Sequence, residues 1–248
     1  MTKKDSISVI IPVFNELERL DNLRLIHKFL DRKKYDYELI VVDDGGKREN
    51  LKYLKKLKKE ISFELISYRQ NKGKGYAVKQ GVLKAKGDYI LFTDIDLSVP
   101  IKEISKFIKI AKLSPVVIGS RNIKGSKVLV SQSKTREFMG QIFTNLSQFV
   151  LDLRVSDFTC GFKCFQKDAG KEIFKRSVIN RWGFDSEILL IAKRLNYKIT
   201  ELPVEWSHNK QTKVSFPKDI IRSFAELMRI KNNDLRGHYL KAHDKFTS

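Results

Sequence analysis

Cysteine and proline are both scarce in this sequence of 248 residues, which contains two cysteines and five prolines. Secreted domains that are stabilised by disulfide bonds usually contain more cysteines, so we expect a protein of a reducing compartment. The two cysteines, Cys160 and Cys164, have no second cysteine pair or nearby histidine that would complete a metal site. We interpret them as buried thiols of the core.

Long hydrophobic runs are also missing. A transmembrane helix needs about 20 consecutive apolar residues, and no stretch approaches that length. The first apolar run, residues 7–14, is short and contains Pro12, so it lacks the pattern of a signal peptide. We therefore expect a cytoplasmic protein, either soluble or bound peripherally to the cytosolic face of a membrane.

Acidic residues are outnumbered, since 29 Asp and Glu stand against 49 Lys and Arg and give a formal net charge of +20. Such an excess attracts polyanions, namely nucleic acid, an anionic membrane surface or phosphorylated substrates. It also keeps a protein soluble, and charge alone does not choose among these explanations.

The first 120 residues alternate short apolar runs with helical patterns. Near-continuous apolar strands separated by helices are typical of a parallel sheet, so the predicted class is α/β with a mostly parallel central sheet flanked by helices. The strands expected here are 7–14, 37–42, 63–68, 88–93 and 115–120, with a helix after each of the first four, the first from Asn15 to about Leu30.

The second half is less regular. Helices are expected at 134–153, 184–195 and 217–230, with strands at 161–166 and 198–206. The helix at 134–153 and the last helix both carry an amphipathic stripe that could lie at a membrane surface. No linker or repeat interrupts the chain, so residues 1–248 are expected to form a single domain.

Charged side chains follow three of the predicted strands. They are Asp43 and Asp44, Asp94 and Asp96, and Arg121. In parallel α/β sheets, ligands bind beyond the carboxyl ends of the strands, and these residues all fall there. The convergence is the first indication of a functional site.

The pair Asp94 and Asp96 predicts a metal site. Two carboxylates one residue apart at a strand end can face the same ligand, and hard oxygen donors suit Mg²⁺ or Mn²⁺. Such a cation would neutralise a departing nucleotide diphosphate. A D-x-D sequence alone is a weak signal, but its position at the end of an apolar strand strengthens it.

Two other segments could contact a nucleotide. Asp43 and Asp44 could accept hydrogen bonds from a base or a ribose, although Asp also favours turns. The segment 71–75, NKGKG, could bring Lys74 near a phosphate or a base. It is neither a dinucleotide fingerprint, which would need glycine at Val78, nor a P-loop.

The motifs in order are IIPVFNE, VVDDG, NKGKG, DIDLSVP, IGSR, DFTCGFKCF, WGFDSEIL and ELPVEW. Together, over about residues 7–215, this set resembles the family 2 inverting glycosyltransferases of GT-A fold. It is most similar to the branch of dolichyl-phosphate glucosyl- and mannosyltransferases. The resemblance implies that about residues 1–120 bind the donor nucleotide and about residues 121–248 bind the acceptor.

The resemblance also implies roles for single residues on the donor side. Asp94 would lie near the donor sugar and ribose, with Asp96 holding the metal. The segment that contains Lys213 would close over the donor, although Gln211 and Thr212 replace the usual Gly-Ser there. The remaining residues implied to border the donor are Pro12, Phe14, Glu16, Asp44 and Lys74.

On the acceptor side, Arg121 and Arg136 resemble a pair that binds the phosphate of a lipid acceptor. Asp157 matches a carboxylate at the acceptor face, and it would be the general base if the acceptor were a hydroxyl. Asp185 and Glu187 are more simply explained as capping or ion-pairing groups inside the fold.

The favoured hypothesis is transfer of glucose from UDP-glucose to polyprenyl or dolichyl phosphate, because Ser98 and the following proline are more similar to the glucosyltransferase branch. GDP-mannose as donor and a saccharide hydroxyl as acceptor are the alternatives. A nucleic-acid-binding protein would explain the charge of +20 but not the paired acids at strand ends, so no nucleic-acid partner is expected.

Overall fold

The computed structural model describes residues 5–33, 35–208 and 218–240. The strands are β1 (Ser6–Val13), β2 (Asp36–Asp43), β3 (Glu64–Ser67), β4 (Tyr89–Thr93), β5 (Val116–Ser120), β6 (Lys127–Val130), β7 (Phe162–Gln166), β8 (Ile199–Pro203) and β9 (Glu205–Ser207). The helices are α1 (Asn22–Arg32), α2 (Arg48–Leu57), α3 (Lys74–Lys84), α4 (Ile104–Ala111), α5 (Lys134–Leu151), α6 (Lys167–Arg176), α7 (Phe184–Arg194) and α8 (Lys218–Leu235).

Seven strands form one sheet in the order β3-β2-β1-β4-β7-β5-β8, and β6 pairs with β9 in a small second sheet. Within the large sheet only β7 runs antiparallel to its neighbours. Because β7 lies between β4 and β5, the second half of the chain supplies strands to the same sheet as the first. The expected mostly parallel sheet is confirmed.

Helices cover both faces of this sheet, which is why its strands are apolar on both sides. On one face, α1, α2 and α4 contribute Ile26, Leu54 and Phe107 to a cluster that includes Val9 of β1. On the other, α3 and α7 pack onto residues such as Ile10 of β1. The neighbouring residues of β1 thus belong to opposite cores, as the two-residue repeat of a strand requires.

The structure differs from the sequence expectations in several elements. The first helix begins at Asn22 instead of Asn15, because Asn15 has a left-handed backbone (φ 53°) and its side chain accepts the N–H of Lys47. The strand expected at 198–206 divides into β8 and β9. Neither β6 nor α6 was expected, and β6 is exposed along its whole length.

The two amphipathic helices pack against each other through the rings of Phe143 and Phe224. On the outer side of α5, Phe138 and Phe149 are largely exposed. Within the three described ranges, no helix combines the length and the apolar character needed to cross a bilayer.

Candidate functional site

The site lies where the sheet's parallel strands end. Asp43 is the last residue of β2, Asp94 directly follows β4, and Arg121 directly follows β5. The chain turns away from the sheet at each of these points, so the side chains lie at one edge. The structure thus places the charged residues that follow the strands along one edge of the sheet.

Asp44 is buried and organises the loop that precedes α3. Its carboxylate accepts hydrogen bonds from the Tyr68 hydroxyl (2.7 Å), the Asn71 amide (2.7 Å) and the N–H groups of Lys72 (2.8 Å) and Gly73 (2.9 Å). Four donors therefore already occupy the two oxygens that the sequence assigned to a base or ribose. Asp44 therefore shapes this loop, and its expected contact with the donor stays a prediction.

Asp43 lies beneath that loop and is also buried. It accepts hydrogen bonds from the Ser67 hydroxyl (3.0 Å) and the N–H of Gly46 (3.2 Å). Burial raises the pKa of the Asp43 carboxyl group, against the opposing effect of these hydrogen bonds. Asp43 joins the ends of β2 and β3 and is less accessible to a ligand than Asp94.

Lys74, the first residue of α3, reaches Asp94. Its Nζ lies 2.6 Å from Asp94 Oδ1. The other carboxylate oxygen faces Gly161, where a Cβ would stand 2.1 Å from Asp94 Oδ2. A side chain at residue 161 would displace the carboxylate from this position, so glycine leaves the space that Asp94 occupies.

Asp96 is held separately, by its own turn. The N–H and the hydroxyl of Ser98 each donate to it, at 2.9 Å. Leu97 between them has a left-handed backbone (φ 52°), an uncommon conformation for a branched residue. The carbonyl of Ser98 accepts the N–H of Ser207, so β9 supports this turn.

Arg121 and Asp157 form one unit. Arg121 Nε and Nη2 donate to the two oxygens of Asp157 at 2.7 and 2.8 Å, and the Arg121 N–H also donates to it. The guanidinium lies over the ring of Trp206, 5.3 Å from its centroid, and 21% of the arginine side chain is exposed. Burial alone would raise the pKa of Asp157, but the Arg121 charge and its hydrogen bonds lower it overall.

Sequence reasoning missed Lys163, which lies below the site with no solvent exposure. Its ammonium donates to the carbonyls of Phe158 (2.9 Å) and Cys160 (2.8 Å) and to the carboxylate of Asp185. Burial raises the pKa of Asp185, partly offset by the Lys163 charge. A lysine inside the apolar strand FKCFQ was the available signal, because such a residue needs a buried partner.

The other acid of the α7 motif, Glu187, is also internal. It accepts the N–H groups of Val178 and Ile179 and the hydroxyl of Tyr239. Asp185 therefore has the ion-pairing role that the sequence favoured, whereas Glu187 binds two backbone N–H groups of the segment before α7 and a tyrosine hydroxyl.

Three of the residues expected around the donor lie at or just beyond the end of β1, whose neighbours in the sheet are β2 and β4. Pro12 is buried in the strand, and Phe14 is exposed just beyond it. Glu16 accepts a hydrogen bond from Arg19 Nη1 at 2.9 Å. Their position is compatible with the expected donor contacts, which stay a prediction.

Two expected site residues are beyond what the structure describes. Lys213 lies outside the described residues. Arg136 belongs to α5, but its side chain is likewise outside the description. The expected pairing of Arg121 with Arg136 around a phosphate stays a prediction.

The chemistry of Asp94 and Asp96 fits a divalent cation, since Mg²⁺ and Mn²⁺ favour carboxylate oxygen. In the described parts of the chain, no group of three or more His, Cys, Asp or Glu side chains is arranged to hold a metal. A cation here would therefore complete its shell with water and phosphate oxygens, as is usual for Mg²⁺ in nucleotide sites.

Sequence comparison relates most of the chain to the glycosyltransferases that its motifs resemble. The Glycosyl transferase family 2 profile matches residues 8–174. Dolichyl-phosphate beta-glucosyltransferase of Dictyostelium discoideum is 33% identical over 247 residues, covering 93% of this chain and 75% of the relative. The enzyme of that name from Saccharomyces cerevisiae is 31% identical over 255 residues, covering 94% and 76%.

Solved structures share the fold at low identity. Glucosyl-3-phosphoglycerate synthase from Mycobacterium tuberculosis in complex with UDP has a TM-score of 0.64 at 17% identity, covering 92% of this chain and 80% of that one. Its complex with Mn²⁺, UDP-glucose and glycerol 3-phosphate gives 0.63 at 14% identity, covering 97% and 82%. The expected GT-A fold is confirmed.

The buried pair of Lys163 and Asp185 should stabilise the fold only as a pair. Lys163→Met should lower the free energy of unfolding by about 3–5 kcal/mol, because it leaves Asp185 buried without its cation. Lys163→Met/Asp185→Asn should recover much of that loss. Urea denaturation of the single and double variants measures the coupling.

Lys112→Met is the matched control, because Lys112 pairs with Asp5 at the exposed surface and its loss should change stability little. Additive losses in Lys163→Met and Asp185→Asn would show that the two charges do not depend on each other.

Proposed function

The chain belongs to glycosyl transferase family 2, and we propose that it transfers glucose from UDP-glucose, with inversion, to dolichyl or polyprenyl phosphate. Membership of this family confirms the prediction that the protein is a glycosyltransferase. Glucose and the lipid phosphate follow from the relatives named dolichyl-phosphate beta-glucosyltransferase, of which this chain covers 75% and 76%.

The state of Asp157 is the observation that carries the choice of acceptor. A general base works best when its pKa is near the operating pH, whereas the pKa of Asp157 is lowered and both its oxygens are bound by Arg121. A hydroxyl acceptor would need a base. A phosphate is already ionised at neutral pH and can attack the anomeric carbon directly.

The other carboxylates at this edge also accept protein hydrogen bonds or pair with a cation, namely Asp44, Asp94 and Asp96. The task left to the protein is therefore to position two anionic substrates. Arg121 suits the acceptor phosphate because a guanidinium binds oxyanions through a planar fork. Since Asp157 takes Nε and Nη2, we place the phosphate against Nη1, with Arg136 as its second contact.

The donor would lie across β1, β2 and β4. Its base and ribose would contact Pro12, Phe14 and Glu16, and its sugar would lie beside Asp94. Asp96 would hold Mg²⁺ or Mn²⁺, which when bound neutralises charge that develops on the departing diphosphate. Lys213 would approach the donor from the segment after β9.

Asp96 should be essential for turnover but not for folding. Asp96→Ala should lower kcat by at least about 100-fold, because loss of the cation removes several kcal/mol of charge stabilisation. The melting temperature should change little, since Asp96 lies on a turn and, among the described residues, its carboxylate accepts hydrogen bonds from Ser98.

The measurement is release of UDP from UDP-glucose in the presence of dolichyl phosphate and Mn²⁺. Asp168→Ala, which removes an exposed acid in the first turn of α6, is the matched control. Near-normal turnover by Asp96→Ala would contradict the assignment.

The acceptor should be a lipid phosphate. Arg121→Lys should raise the KM for polyprenyl phosphate by about tenfold or more while changing the KM for UDP-glucose little, because lysine keeps the charge but loses the fork. Arg136→Lys should act in the same direction. The assay offers polyprenyl phosphate and free saccharides side by side with UDP-glucose and GDP-mannose.

Robust transfer to a saccharide hydroxyl, with none to the lipid phosphate, would overturn this proposal and make Asp157 the candidate base. Preference for GDP-mannose would change the donor but leave the acceptor assignment in place.

We also propose that the protein binds peripherally to the cytosolic face of a membrane. Its charge of +20 favours anionic lipids, at about 1 kcal/mol for each Lys or Arg near the surface. Flotation with anionic vesicles should therefore recover more protein than flotation with neutral vesicles, and the difference should shrink at high salt. Equal recovery on both would show that the charge serves solubility alone.

A further inference from the structure

Lys74 occupies an unfavourable place for a cation. It is the first residue of α3, where the positive end of the helix dipole disfavours positive charge. Its ammonium lies 2.6 Å from Asp94 Oδ1, with 19% of the lysine side chain and 36% of the aspartate side chain exposed. Contact with the Asp94 carboxylate therefore offsets an otherwise unfavourable position for this ammonium.

The backbone around Lys74 is fixed from two directions. On one side, Asp44 accepts the N–H of Gly73 at 2.9 Å. On the other, the N–H of Tyr76 donates to the carbonyl of Asn180 at 3.1 Å. These two bonds fix the backbone from which the Lys74 side chain reaches Asp94.

The two carboxylates of the D-I-D sequence have different surroundings. Asp94 pairs with the ammonium of Lys74 and lies against the backbone of Gly161. Asp96 has no cation at hydrogen-bond distance among the described contacts and accepts only the two weaker donors of Ser98. A neutral hydroxyl gives way to a metal ion more readily than an ammonium does, because the ammonium both neutralises its carboxylate and repels the cation.

We propose that Lys74 is a positioning residue that keeps Asp94 out of the metal's ligand set and leaves Asp96 as the carboxylate that binds the cation. If transfer is metal-dependent, as proposed above, Asp94 and Asp96 then have different roles. Asp96 carries the metal at the diphosphate, and Asp94, held by Lys74, faces the donor sugar. Lys74 itself is then not a phosphate ligand.

Binding of Mn²⁺ to the protein without donor or acceptor tests this, with free Mn²⁺ followed by electron paramagnetic resonance. Lys74→Met should tighten Mn²⁺ binding by at least about tenfold, since it removes a like charge within a few ångströms and releases Asp94 as a second ligand. Lys74→Arg, which keeps the cation, should stay near the wild type. Lys84→Met, at the exposed far end of the same helix, is the matched control.

The double variant Lys74→Met/Asp94→Asn tests whether Asp94 binds the metal in the wild type, separately from the effect of the Lys74 charge. It has the same net charge at the site as the wild type, so its Mn²⁺ affinity should return close to the wild-type value if Asp94 is not a ligand. A value well below the wild type would show that Asp94 does bind the metal, and it would overturn the assignment. Unchanged affinity in Lys74→Met would overturn it as well.

The double variant also covers the case in which Lys74→Met fails to fold, because it leaves no uncompensated charge. Turnover adds an independent readout: Lys74→Met should lower kcat by about 100-fold despite its tighter metal binding, because Asp94 is displaced. Absence of Mn²⁺ binding by the wild type, with and without UDP, would overturn the metal part of the proposed function and this inference with it. If the wild type binds Mn²⁺ but Lys74→Met does not bind it more tightly, or the double variant binds it far more weakly than the wild type, this inference alone would be overturned.

Discussion

Pairing of carboxylates with cations at the carboxyl edge of the sheet is the constraint on which the rest of the site depends. Within the described residues, three such pairs lie there, Lys74 with Asp94, Arg121 with Asp157, and Lys163 with Asp185. An unpaired charge as deep as Lys163, Asp185 or Asp157 would cost several kcal/mol, whereas a well-bonded pair roughly offsets its own desolvation. Each pair also joins segments that are distant in sequence, so the charged residues of the site also fix the positions of these segments relative to one another.

The pairs show how one sheet can serve two substrates. Lys74 and Asp94 come from α3 and the end of β4, on the side expected to bind the donor. Arg121 and Asp157 come from the end of β5 and the loop before β7, on the side expected to bind the acceptor. Because β7 lies between β4 and β5, the two sides are neighbours in a single sheet. The assignment of residues 1–120 to the donor and 121–248 to the acceptor stays a prediction, but this topology is compatible with it.

The strands of the large sheet and their charged ends could be predicted from the sequence, because buried parallel strands are near-continuous apolar runs and the chain must turn where they stop. What could not be predicted is the partner of each charge. From the sequence, Asp44 is a candidate for binding a ligand. In the structure its carboxylate accepts hydrogen bonds from four groups of residues 68–73, which follow β3 and lie beside Asp44 because β3 pairs with β2. β6 was missed for the opposite reason, since an exposed four-residue strand has no burial pattern to detect.

Neutral pairs orient ligands but do not attract them from a distance, because the fields of the two charges cancel beyond a few ångströms. Both proposed substrates are anions, and they must approach each other. The attraction must therefore come from elsewhere, and the charge of +20 is available for it. Screening by salt weakens such a field over about 10 Å but hardly affects partly buried pairs. On the proposed function, capture of substrate and its alignment for reaction would thus depend on two separate sets of charges, one spread over the surface and one paired at the end of the sheet.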